Sequence, residues 1–178
     1  MSRTRRTLAL LTTSSTYAGL ACVLMWPLPL HLRTHLPGSP AGDLGVYVWN
    51  LWIFRHEIFR HGRLPFSTDH VFAYTGGADF SLHNYTPIAG LLASPLIDTL
   101  GVVGAFNVVL LTFMMLSGLG VFVLARSLGL GRPAAWMAGA IFMASPRSVP
   151  PCSAKVRAAH AATARVARHT VFLAVAGA

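Results

Sequence analysis

Two long stretches of this chain carry no charged side chain, residues 7–30 and residues 99–125. A helix over residues 8–30 would rise roughly 34 Å at about 1.5 Å per residue, enough to cross a hydrocarbon core of about 30 Å. Residues 102–124 form a second run of the same length. Composition points the same way, with 54% hydrophobic and 11% charged residues and a mean hydropathy of +0.58. Soluble domains usually carry about a quarter charged residues. The expected fold class is therefore all-α, a polytopic integral membrane protein with two transmembrane helices plus a short third. That third helix opens at Pro133, runs from Ala134 to Met143 and is interrupted by Ser145-Pro146-Arg147.

Basic residues set the orientation. Arg3, Arg5 and Arg6 precede the first span, and Arg126 and Arg132 flank the short connection after the second. The positive-inside rule then places residues 1–7 in the cytoplasm, residues 31–101 outside and residues 126–132 inside, in a multi-pass protein of the inner (plasma) membrane. Two processing signals compete for the first span. Thr4-Arg5-Arg6-Thr7-Leu8 looks like a twin-arginine signal, and Gly19-Leu20-Ala21-Cys22 looks like a lipoprotein cleavage site. The apolar run is too long for a signal core, no small-x-small site follows it, and a glycine stands where a lipoprotein signal wants leucine. The net charge of +9 invites a nucleic-acid reading, yet the basic residues lie in short groups between apolar spans and form no nucleic-acid module. The two cysteines, Cys22 and Cys152, provide neither a disulfide framework nor a thiolate metal site.

The outer segment has its own organisation. In residues 42–62, Asp43 is followed at helical spacing by Leu44, Tyr47, Val48, Leu51, Phe54 and Ile58, with Trp49, Trp52 and His56 on an adjacent stripe. That is an amphipathic helix with a carboxylate in its first turn, suited to the membrane surface where indoles prefer to sit. Residues 63–87 mix glycine, proline and small polar residues with aromatics and read as an ordered loop or short strand-like excursion. Four of the five acids, Asp43, Glu57, Asp69 and Asp79, fall between the first span and Pro87. Residues 86–100 are apolar but short and contain Pro95, as expected of an interfacial or re-entrant helix, and residues 101–104 read as a turn. Ser117-Gly118-Leu119-Gly120 supplies small residues at which a second helix can approach.

Two histidine pairs invite a metal reading. His31 and His35 stand four apart, but in a turn-rich segment without a third ligand in register. His56-Glu57 with His61 resembles a zinc-protease motif, but five residues turn the two histidines about 140° apart on an ideal helix.

The order of features resembles the N-terminal part of the GT-C glycosyltransferase superfamily, including its YfhO-related members. The residues that carry the resemblance are Gly42-Asp43 followed by Trp49, Leu51, Trp52 and His56; Gly77-Ala78-Asp79-Phe80 with His83, Tyr85, Thr86 and Pro87; Leu116-Ser117-Gly118 through Leu124-Ala125-Arg126; and Ala134-Ala135 through Ala138-Gly139 to Ser145-Pro146-Arg147. It covers residues 8–149. It implies an enzyme that transfers a sugar from a polyprenyl-phosphate donor on the extracytoplasmic face. The loop acid that activates the acceptor or holds a divalent cation would be Asp43, which on its own reads first as a helix cap and only with the resemblance equally as a catalytic acid. Asp79 and His83 would form a second polar pair near the lipid phosphate, and Trp52 and His56 would contact the donor. A membrane transport or binding role is the alternative, although neither long span contains the ionisable residue such proteins usually place there. Residues 150–178 change to a mixture of alanine, arginine and histidine and read as a disordered or frame-disrupted tail, which makes a truncated, inactive membrane protein the third reading.

Overall fold

The computed structural model describes residues 3–37, 43–69, 77–80 and 86–145, and 77% of the described residues are helical. His83 and the tail at residues 150–178 lie outside the described residues. Four helices follow in order: α1 (Arg3–Leu24), α2 (Leu44–His61), α3 (Pro87–Ser127) and α4 (Arg132–Ala144). A 3-10 turn at Leu28–Leu30 follows α1, and two short strands, β1 (Ser67–Thr68) and β2 (Ala78–Asp79), pair antiparallel between α2 and α3. The loop beyond α2 thus contains the strand-like excursion expected of it, and the described residues are otherwise helical or irregular.

α1 ends at Leu24, six residues short of the expected boundary. Pro27 and Pro29 cannot donate to helical carbonyls, so the chain tightens into the 3-10 turn. At 22 residues, α1 still rises about 33 Å. Its centre is polar in sequence, Thr12-Thr13-Ser14-Ser15-Thr16, yet each of these hydroxyls donates to a carbonyl three or four residues earlier at 2.8 to 3.0 Å. A run of hydroxyls satisfied within its own helix is compatible with an apolar surrounding.

α3 is broken at Gly101, where φ is 74° and ψ is 170°. Only glycine adopts that backbone without strain, so the expected turn contracts to one residue, and residues 102 onward are again helical. The two parts of α3 have different partners. Residues 87–100 pack against α2, with Leu51 among Ala89, Ala93 and Ile97, and a Cβ on Gly90 would run into the Phe54 ring. Residues 102–127 pack against α1 and α4 around Tyr17, Ala21, Met114 and Met143. At the centre of this contact Gly118 faces Met143 and Tyr17, and Gly139 faces the Tyr17 hydroxyl and the Gly118 carbonyl, so neither position has room for a Cβ. The Tyr17 hydroxyl donates to the Trp136 carbonyl at 2.9 Å, the Trp136 indole donates to Thr16 Oγ1 at 2.9 Å, and the two rings stack with a 5° interplanar angle.

Asn107, fully buried in α3, fastens the segment after α1: its amide donates to the Leu32 and His35 carbonyls, each at 2.7 Å. Two helices, Thr7–Leu24 within α1 and Pro87–Ser127, are long and apolar enough to cross a membrane. Only 11% and 22% of their most apolar windows are buried. The core helix of a water-soluble domain would be mostly covered, which these two are not. Leu8, Leu11 and Val23 on α1, Val123 and Leu124 on α3, and Ile141 on α4 all face outward.

Candidate functional site

α2 does not lie free on a surface. The side buried against α3 and the strand pair comprises Asn50, Leu51, Ile53, Phe54 and Glu57, whereas Leu44, Tyr47, Val48 and Ile58 of the expected apolar face are half-buried. Two of the five buried residues are polar, which is why hydrophobic periodicity alone aimed the helix incorrectly. Glu57 accepts a 2.7 Å hydrogen bond from the Thr68 hydroxyl in β1, and Phe80, after β2, meets the edge of the Trp49 ring at 5.6 Å between centroids. These contacts hold the strand pair over one flank of α2, and the Phe80 N–H to Phe66 carbonyl bond of 2.7 Å extends the pairing of the two strands.

The outer flank of α2 is where polar and aromatic groups converge. Trp52 and His56, one turn apart, stack with centroids 4.7 Å apart and planes within 18°. The His56 and His61 Nε2 atoms are 3.2 Å apart. Arg55 reaches across to Asp98 in the first part of α3, its Nη2 lying 2.6 Å from each carboxylate oxygen. Trp52, Arg55, His56, Phe59, Arg60 and Asp98 line a shallow cavity of about 190 Å3. With two guanidinium groups and one imidazole against one carboxylate, and with two apolar rings at its wall, the cavity suits an anionic group attached to an apolar body. Arg55, Phe59, Arg60 and Asp98 were not singled out from the sequence. Asp98 sits 43 residues from its partner, and only the fold of α3 against α2 joins them.

The sequence-derived site residues do not form one constellation. Trp52 and His56 stand together. Asp43 takes the N-cap position of α2, exposed, but its side chain makes no cap hydrogen bond. Thirteen residues of helix separate Asp43 from His56, about 20 Å along the axis, too far for both to touch one reacting centre. Asp79 is exposed in β2, opposite Ser67. The His31 and His35 rings lie 4.7 Å apart, and His35 Nδ1 is 2.8 Å from the Thr34 hydroxyl. Among the described residues no group of three or more His, Cys, Asp and Glu side chains is placed to hold a metal ion.

Compared with known proteins, the chain matches no family model, no curated protein and no solved structure.

Proposed function

We propose that the chain forms part of a multi-pass membrane glycosyltransferase of the GT-C kind, taking sugar from a polyprenyl-phosphate donor at the extracytoplasmic face of the plasma membrane. Residues 8–149 would be its N-terminal part, with the N-terminus cytoplasmic. The observation that carries this reading is Asp43, exposed at the head of α2 in the segment between the two apolar helices, its carboxylate not engaged in capping. A carboxylate so placed is able to take the proton of an acceptor hydroxyl beside the membrane. The wide apolar surface left on α1, α3 and α4 fits contact with lipid or with further helices.

The separation along α2 divides the roles. Asp43 acts at the sugar, while Trp52 and His56, with Arg60, hold α2 against the lipid headgroups through rings and positive charge. Two or three crossing helices do not enclose a lipid-linked sugar, so transfer itself requires more of the membrane domain than these. A photo-cross-linker tests the assignment. With p-benzoylphenylalanine introduced at Val46, exposed one turn beyond Asp43, illumination in nanodiscs should label the protein with a radioactive polyprenyl-phosphate sugar. Unlabelled polyprenyl phosphate should suppress the labelling and phosphatidylglycerol should not. Equal suppression by both lipids would reduce the site to general lipid contact.

A further inference from the structure

The geometry points to a two-histidine site for a late first-row divalent cation, copper, nickel or zinc, formed by His56 and His61 at the C-terminal end of α2. On an ideal helix these two side chains would diverge. His61 is the last helical residue, before Gly62 at φ 61°, and the two imidazoles bend toward each other across the end of the helix. The ring nitrogens converge to 3.2 Å.

Two distances agree with chelation. At metal–nitrogen distances of about 2.1 Å, nitrogens 3.2 Å apart subtend about 100° at a shared ion, between the roughly 90° of octahedral or square-planar sites and the roughly 109° of tetrahedral ones. With each ring centre about 1.15 Å behind its nitrogen, the same angle places the ring centroids about 5.0 Å apart. They are 4.9 Å apart, at 61° between planes. Without metal the same contact is a bent imidazole–imidazole hydrogen bond, so one arrangement serves the pair in both states.

The setting supports this use. Trp52 stacks on His56 and fixes the orientation of its ring. Of the two guanidinium groups that line the cavity with His56, Arg55 is paired with Asp98, and Arg60 stands on the same flank. Among the described residues no third His, Cys, Asp or Glu joins the pair in a metal-binding group. Imidazole nitrogen without carboxylate selects the late transition metals over magnesium and calcium. The site does not depend on the glycosyltransferase reading.

Trp52 is a built-in reporter, since Cu2+ bound to the ring beneath an indole quenches its fluorescence. In the full chain reconstituted in nanodiscs at about pH 7.5, Cu2+ should quench tryptophan emission with one-to-one stoichiometry and EDTA should restore it. Acidification to about pH 5.5 should also restore it, because imidazole must be deprotonated to bind metal. Trp52→Phe keeps the ring stack and should remove most of the quenching, Trp49 one turn earlier on α2 keeping a weaker share. His56→Ala and His61→Ala should each weaken it at least tenfold, the order expected on losing one of two ligands. His61 is exposed, so its replacement removes no buried contact. The double variant His31→Ala/His35→Ala should leave the quenching unchanged. Undiminished quenching in His61→Ala, or none in the folded parent protein, overturns the site.

Discussion

At Gly118 and Gly139 the missing side chain is what allows three helices to meet. A methyl group at Gly139 would collide with the Tyr17 hydroxyl and the Gly118 carbonyl, one of them backbone and unable to move aside. Gly139→Ala should therefore lower thermal stability in detergent by about 1 to 3 kcal/mol, the usual cost of overpacking. Gly120, on α3 two residues beyond Gly118, has open space where a Cβ would sit. Gly120→Ala should leave stability unchanged or raise it by up to about 1 kcal/mol. Equal effects of the two would mean that α4 does not pack on α1 and α3 as described. Ser117-Gly118-Leu119-Gly120 was legible in the sequence as a place for close approach, but which glycine faces the neighbour was not. That depends on how α3 is rotated, and α3 is apolar on all sides. The histidines failed for the opposite reason. Ideal helix geometry gives the direction in which the His56 and His61 side chains leave the backbone, and it does not fix where two long rings end up, which here is in contact.

Among the elements, the long apolar segments were readable because charge-free length is a strong signal, and α1, the break in α3 and the short α4 fall close to where charges, glycines and prolines put them. α2 was readable as a helix but not in its orientation, since Asn50 and Glu57 are buried while Phe59, on its outer side, is 68% exposed. A polar residue buried for a tertiary hydrogen bond, as Glu57 is for Thr68, leaves no periodic trace. Gly101 is the element-scale test. Its backbone at φ 74° and ψ 170° is closed to other residues without strain, and a Cβ there would meet no neighbouring atom. Any loss in Gly101→Ala is thus a backbone effect, expected at about 1 to 3 kcal/mol in a detergent melt. An unchanged melting temperature would indicate that residues 87–127 form one continuous helix and that residues 87–100 are not independently placed beside α2.

At the scale of the whole molecule, the account depends on where α2 and the strand pair lie relative to a bilayer. Their separation from the short connection before α4 by the 41 residues of α3 fits opposite sides, since the part beyond Gly101 alone is long enough to span. Residues 86–100 then stay outside, tied to α2 by Leu51, Phe54 and the Arg55–Asp98 pair. The candidate site was only partly legible for this reason. Trp52 and His56 stood out within one stretch, whereas Asp98 joins them through a chain reversal that no local pattern announces.

Cysteine accessibility measures this arrangement most directly. In a background with Cys22→Ser and Cys152→Ser, single cysteines are introduced as Ser67→Cys in β1 and as Gly131→Cys before α4, both at exposed positions. A membrane-impermeant thiol reagent applied to intact cells should label the cysteine at position 67 and spare the one at position 131, which should react only after the membrane is opened. The reverse pattern, or labelling of both in intact cells, would contradict the proposed crossing and remove Asp43 from the face where a polyprenyl-phosphate donor is used.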